Sequence, residues 1–128
     1  MLSHNEIKSI GKDAFKKMTV KPVTVYDNTF QQKLEEIDLS HNKLTNLHHE
    51  TFSQLDSLII LNLKHNNIHL NYGQFPLTLK RLDLSYNQLK DFTLRQLVGS
   101  QLLEELKLNG NYIEDAKVSI FFRKAYFN

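Results

Sequence analysis

The chain has no cysteine, and only two prolines and four glycines among its 128 residues. Without a thiol, disulfide frameworks, thiolate zinc sites and cysteine nucleophiles are excluded together, because each needs sulfur. The compartment stays open, since a reducing cytosol and a secreted chain without disulfides both fit. So little proline and glycine argues against a linker-like composition. Charge of one sign is also scarce: sixteen Lys and Arg against fourteen Asp and Glu leave a net +2. That is far short of the basic excess of a protein held mainly by phosphates, so nucleic acid is not the expected partner. The longest apolar run, Leu58 to Leu61, falls well below the roughly 18 residues that cross a bilayer, so no membrane span is expected in this chain. Met1 and Leu2 lead into polar residues instead of a basic start and an apolar stretch, so no secretory signal is read there. The length fits a single domain, residues 1–128, with a sizeable core.

What the sequence does have is an internal repeat. LEEIDLSHNKL from Leu34, LIILNLKHNNI from Leu58, LKRLDLSYNQL from Leu79 and LEELKLNGNYI from Leu103 share the template LxxLxLxxNxL. Its asparagines, Asn42, Asn66, Asn87 and Asn111, are 24, 21 and 24 residues apart (66 − 42, 87 − 66, 111 − 87). A partial copy, LSHNEI from Leu2, begins halfway through the template and adds Asn5.

The template has a physical reading of its own. Apolar residues two apart, such as Ile37 and Leu39 or Leu82 and Leu84, point to one side of a short strand, and the residue between them points to the other. The asparagine sits where the chain must turn inward. Its amide both donates and accepts, so it can satisfy backbone groups that the turn would otherwise bury unpaired. Asn5, Asn42, Asn66, Asn87 and Asn111 are therefore expected to stack as a ladder. Apolar residues then recur at +2, +5 and +10, as Ile7, Ile10 and Phe15, as Leu44, Leu47 and Phe52, and as Leu89, Phe92 and Leu97. These make a return arm.

With these motifs the chain resembles the leucine-rich repeat family over essentially its whole length. In its 24-residue period and the Phe on its return arm it is similar to the typical subclass of extracellular proteins such as Toll-like receptor ectodomains and insect immune repeat proteins. The resemblance implies an α/β solenoid of about five to six coils. This would be a right-handed superhelix with a parallel sheet on the concave face and turns or short helices on the convex face. It also implies protein binding and a secreted or extracellular location, in an innate-immune or cell-surface setting.

Three features depart from the pattern. The 21-residue coil carries FPLTLKRLDL in place of the longer return arm, and Pro76 argues against a helix there. The 37 residues from Asn5 to Asn42 (42 − 5) admit two readings: a degenerate strand near Val23 to Val25, with Pro22 removing a ladder donor, or a looped insertion. Neither end shows a cysteine-bearing cap, so the chain reads as a piece of a longer solenoid whose uncapped ends leave self-association open. The aromatic tail, Phe121, Phe122, Tyr126 and Phe127, is expected to cover the last coil.

Function is expected on the side of the sheet that the leucines avoid, where variable residues form columns about 4.8 Å apart. One column reads Asp38, Asn62, Asp83, Lys107. The next reads Ser40, Lys64, Ser85, Asn109, and the one before the asparagine reads His41, His65, Tyr86, Gly110, with His4 ahead of them. The pairs before the first strand leucine run Glu35 and Glu36, Ile59 and Ile60, Lys80 and Arg81, Glu104 and Glu105. Alternating charge gives a protein partner register, and an aliphatic pair beside an aromatic gives it desolvated area. The alternative is an ordinary solvated face whose opposite charges pair across strands.

Other chemistry finds less support. His4, His41 and His65 share a column that is expected to be template filler ahead of a metal site or a pH-sensitive contact. His65 and His69 straddle the Asn66 turn, and His48 and His49 are expected to face apart. No GxSxG, HExxH or GxxxxGK(S/T) motif occurs, and carboxylates on an open solenoid wall stay wet, so no catalysis and no cofactor are expected. The second binding reading is a non-protein ligand, nucleic acid or a microbial glycolipid, along Lys8, Lys12, Lys16, Lys17 and Lys21.

Overall fold

A computed structural model describes residues 2–15, 34–71, 74–90, 97 and 100–113. The expectations for Lys16, Lys17, Lys21, Pro22, Val23 to Val25, Phe92 and the aromatic tail lie outside these residues. Among the described residues there are six short strands: β1 (Glu36–Asp38), β2 (Asn46–Leu47), β3 (Ile60–Asn62), β4 (Leu70–Asn71), β5 (Arg81–Asp83) and β6 (Glu105–Lys107). Each template copy contributes one three-residue strand to a parallel sheet of order β1-β3-β5-β6.

The repeat sets the register. Ile37 pairs with Leu61, Leu61 with Leu82 and Leu82 with Leu106, so the central strand residue of every coil lies on its neighbour. The second leucines, Leu39, Leu63, Leu84 and Leu108, continue the column and are all buried. Leu44, Ile68 and Leu89 close it on the far side of the asparagine turn, fully excluded from solvent. Burying a leucine of this kind contributes about 1.5–3 kcal/mol, and here each coil adds a layer to a continuous column.

The asparagines make the ladder that the template requires. Asn66 Oδ1 accepts from the Leu44 N–H at 3.0 Å, while its Nδ2 donates to the Leu39 and Leu63 carbonyls, both at 3.0 Å. Asn42, Asn87 and Asn111 repeat this bridge to the preceding coil. Asn5 holds the same place in the first coil but is exposed, and its amide reaches the Ser3 carbonyl instead. Among the described residues the ladder therefore has four buried or part-buried rungs, Asn42, Asn66, Asn87 and Asn111.

The first coil sits directly on β1. The Leu2 N–H donates to Asp38 O and the His4 N–H to Ser40 O, both at 3.0 Å, and the Lys43 N–H donates to Ile7 O at 2.9 Å. Residues 2–7 thus lie directly beside β1.

On the return arms, β2 and β4 pair in parallel as a second, two-stranded sheet, a feature the sequence reading did not anticipate. Phe15 and Phe52 stack with centroids 5.7 Å apart, so the return-arm aromatic of one coil packs on that of the next. In the 21-residue coil the described residues around Pro76 hold no helix, and the chain turns just after it, with the Leu79 N–H donating to Pro76 O. Thr78 Oγ1 ties this turn to the Leu58 carbonyl at 2.8 Å.

Candidate functional site

The parallel register that buries the leucines also fixes what the opposite face of the sheet presents. Glu36, Ile60, Arg81 and Glu105 lie side by side in one column, and Asp38, Asn62, Asp83 and Lys107 in the next. Glu35, Ile59, Lys80 and Glu104 precede them, linked by Ile59 N–H to Glu35 O, Lys80 N–H to Ile59 O and Glu104 N–H to Lys80 O at 2.8–2.9 Å. Glu35, Arg81 and Glu104 are exposed, and Ile59 and Ile60 are both half-buried, so neither isoleucine is lost to the core. Glu36 is the acidic residue in the strand itself, two residues ahead of Asp38.

Charges of opposite sign meet on this face. Lys80 Nζ lies 3.0 Å from Glu104 Oε1, and Lys107 Nζ lies 3.1 Å from Glu105 Oε1. The Glu105 carboxylate, by hydrogen bond and then by charge, holds the Lys107 ammonium above its usual range. Exposed pairs of this kind contribute about 0–1 kcal/mol, so they shape the surface more than they stabilise it.

The Asp38 column is less free than its exposure suggests. Asp38 Oδ1 accepts the Ser40 N–H at 2.9 Å, Asn62 Oδ1 the Lys64 N–H at 3.1 Å, and Asp83 Oδ1 the Ser85 N–H at 2.9 Å. These are Asx turns, in which the side chain organises the chain's exit from the strand. Lys107 cannot accept, so β6 departs from the scheme. Ser40 is a correction: it is 4 % exposed, because the chain already turns inward there, so it does not belong to the presented surface. Ser85 is buried for the same reason. Lys64 stays partly exposed, with its Nζ 5.4 Å from the Tyr86 ring centroid.

The column before the asparagine has an unexpected geometry. His4, His41, His65 and Tyr86 all adopt left-handed backbone conformations, with φ of 57°, 55°, 52° and 54°, and Gly110 follows at 73°. A left-handed non-glycine residue costs roughly 1–2 kcal/mol. The rings offset part of that by stacking, at 4.3 Å between His4 and His41, 4.5 Å between His41 and His65, and 4.6 Å between His65 and Tyr86. Gly110 ends the series, because a Cβ there would lie 2.6 Å from Tyr86 Cδ1. Partial desolvation within the stack, then the His4, His65 and Lys64 charges, hold the His41 imidazolium below its usual range against the opposing pull of Asp38.

His48 and His49 do not face apart: their rings stack at 4.3 Å. With Glu50 they bring three potential metal-ligand atoms within 4.8 Å of one another. His48 Nδ1, however, accepts the Glu50 N–H at 3.2 Å, and all three side chains are solvated. A cavity of about 330 Å³ between the first two return arms is lined by residues that include Lys12, Asp13, Glu50 and Thr51. Asp13 and Glu50 are exposed. Among the described residues, no helix is long and apolar enough to cross a membrane.

Comparisons with known proteins agree with this geometry. A family profile described as leucine rich repeat matches residues 32–76, and a second of the same description matches residues 76–91. Osteomodulin from Bos taurus is 32% identical over 117 residues, covering 90% of this chain and 25% of its own length. Leucine-rich repeat-containing G-protein coupled receptor 5 from Rattus norvegicus is 43% identical over 83 residues, 62% of this chain and 9% of its own. Toll-like receptor 10 from Bos taurus is 36% identical over 87 residues, 66% of this chain and 10% of its own. The chain thus spans a quarter or less of these relatives. With one strand, one asparagine turn and one buried leucine layer per copy of the template, the chain belongs to the leucine-rich repeat family.

Proposed function

We propose that the chain is a protein-binding module that takes its partner on the open face of the parallel sheet. That face would form the concave side of a right-handed superhelix in a longer secreted or receptor-type protein of innate immunity or cell-surface contact. The observation that carries this reading is the column Glu36, Ile60, Arg81, Glu105, with Ile59 beside it. It sets half-buried aliphatic area between charges of both signs. Apolar area that a partner can finish desolvating supplies affinity, and the alternating charges fix orientation and register. Similarity to proteins named as receptors supports the same reading. Binding is favoured over catalysis because Glu35, Glu36 and Glu104 are exposed and keep their water.

The test uses a photo-crosslinking residue at position 60, or at exposed Gln54 as control, in the full-length protein on the cells that make it. Position 60 is expected to yield a nuclease-resistant protein adduct that Arg81→Glu abolishes, and position 54 is not. Equal adducts from both positions, or a nuclease-sensitive one, would overturn the reading.

A further inference from the structure

We propose that the His4–His41–His65 stack is an acid-sensitive latch that holds the first coil against the rest of the sheet at neutral pH and loosens it as the imidazoles take up protons. The argument starts from what the stack fastens. His4 and His41 come from consecutive coils, and their rings lie 4.3 Å apart and 8° from parallel. The same two residues sit beside backbone bonds that join the coils, His4 N–H to Ser40 O at 3.0 Å and His41 N–H to Lys64 O at 2.9 Å. His65 N–H to Ser85 O, at 3.1 Å, continues the row. Ring contact and strand pairing therefore rise and fall together.

Neutral imidazoles stack at these distances without penalty, whereas adjacent imidazolium ions repel. His41 is the member with the most to lose. His4 faces it from the first coil, His65 and Lys64 from the third, and Asp38 from its own coil. Asp38 is the one carboxylate set against these cations in that group, and its Oδ1 also accepts the Ser40 N–H. A proton on His41 is thus opposed from both neighbouring coils, in agreement with its lowered pKa.

The sign follows from linkage. When the folded-state pKa lies below the unfolded one, the unfolded chain binds more protons, so stability falls with pH through the region beneath the ordinary imidazole value of ~6.5. Stability is fully present above that value. Tyr86 supplies the internal control, because it occupies the same template position at φ 54° and stacks on His65 at 4.6 Å with a phenol ring in place of an imidazole. The protein therefore already accommodates a ring other than imidazole at this position. Gly110, at the other end, offers no ring, so the titrating part of the stack lies toward the first coil.

The experiment is amide hydrogen exchange on the full chain at pH 7.5 and pH 5, corrected for intrinsic rates, comparing wild type with His41→Tyr. In wild type the His4 and His41 amides are expected to lose protection several-fold at the acid pH, and in His41→Tyr they are expected to keep it. Equal loss in both proteins, or no loss in wild type, would overturn the latch. A titration of the wild-type imidazole signals stands apart from any folding defect of the variant. A His41 midpoint below ~6.5 supports the proposal, and one at or above it contradicts it.

Discussion

Two ladders cross the coils, and their rungs are set by different forces. The amide ladder of Asn42, Asn66, Asn87 and Asn111 is buried or part-buried, and each rung joins its own coil to the preceding one through one accepted and at least two donated hydrogen bonds. The ring ladder of His4, His41, His65 and Tyr86 is exposed and joined by stacking alone. A buried turn leaves backbone groups that an amide of that length satisfies, and each of these four turns carries Asn. The second position asks only for a left-handed backbone and a contact, and histidine, tyrosine and glycine each meet that requirement. The fold fixes the inner ladder and leaves the outer one free to acquire a property such as acid sensitivity.

Breaking a rung on the inside should have the largest effect. Asn66→Ala would leave the Leu44 N–H buried without a partner, at about 1–3 kcal/mol, and would take one of two amide donors from each of the Leu39 and Leu63 carbonyls, which keep Asn42 and Asn87, at about 0.5–1.5 kcal/mol for each lost bond. A loss of unfolding free energy on the order of 3 kcal/mol, read from urea denaturation, is expected, and a change under about 1 kcal/mol would erase the distinction between the ladders. Gly110→Ala tests the outer ladder and should cost roughly 1–2 kcal/mol, from the left-handed φ and the close approach of the Tyr86 ring. If the ring is half of that cost, the double variant with Tyr86→Ala will recover part of it by the same measurement. Lys80→Ala, which removes an exposed bridge to Glu104, is expected to change stability by about 0–1 kcal/mol.

The same division explains what could be read from the sequence. The strand leucines, the asparagine turn and the parallel stacking were legible because buried positions repeat the same side chain in every coil. Ser40 was misplaced because strict alternation was carried one residue past the end of β1, where the chain already turns inward. The Asx turns of Asp38, Asn62 and Asp83 were missed for a related reason, since their side chains look like free surface groups until the backbone N–H two residues on is located. Direct packing of the first coil on β1 was not legible, because the spacing from Asn5 to Asn42 admits either an extra strand or a long loop. The Leu2 and His4 hydrogen bonds place residues 2–4 beside β1. The stacking of the histidine column depends on a left-handed backbone that no apolar period encodes.

The central claim is that neighbouring template copies lie one above another, so that Ile60 and Arg81 are adjacent on an outward face while Glu36 and Glu105 stand at its two edges. Because the chain has no native thiol, cysteine pairs introduced there are the only ones present. Mild oxidation of Ile60→Cys with Arg81→Cys, about 4.8 Å apart at the backbone, is expected to give an intramolecular disulfide. Glu36→Cys with Glu105→Cys, three strand spacings apart, is expected to give none. Efficient bridging of the outer pair, or failure of the inner one with both thiols accessible to alkylation, would contradict the stacked arrangement.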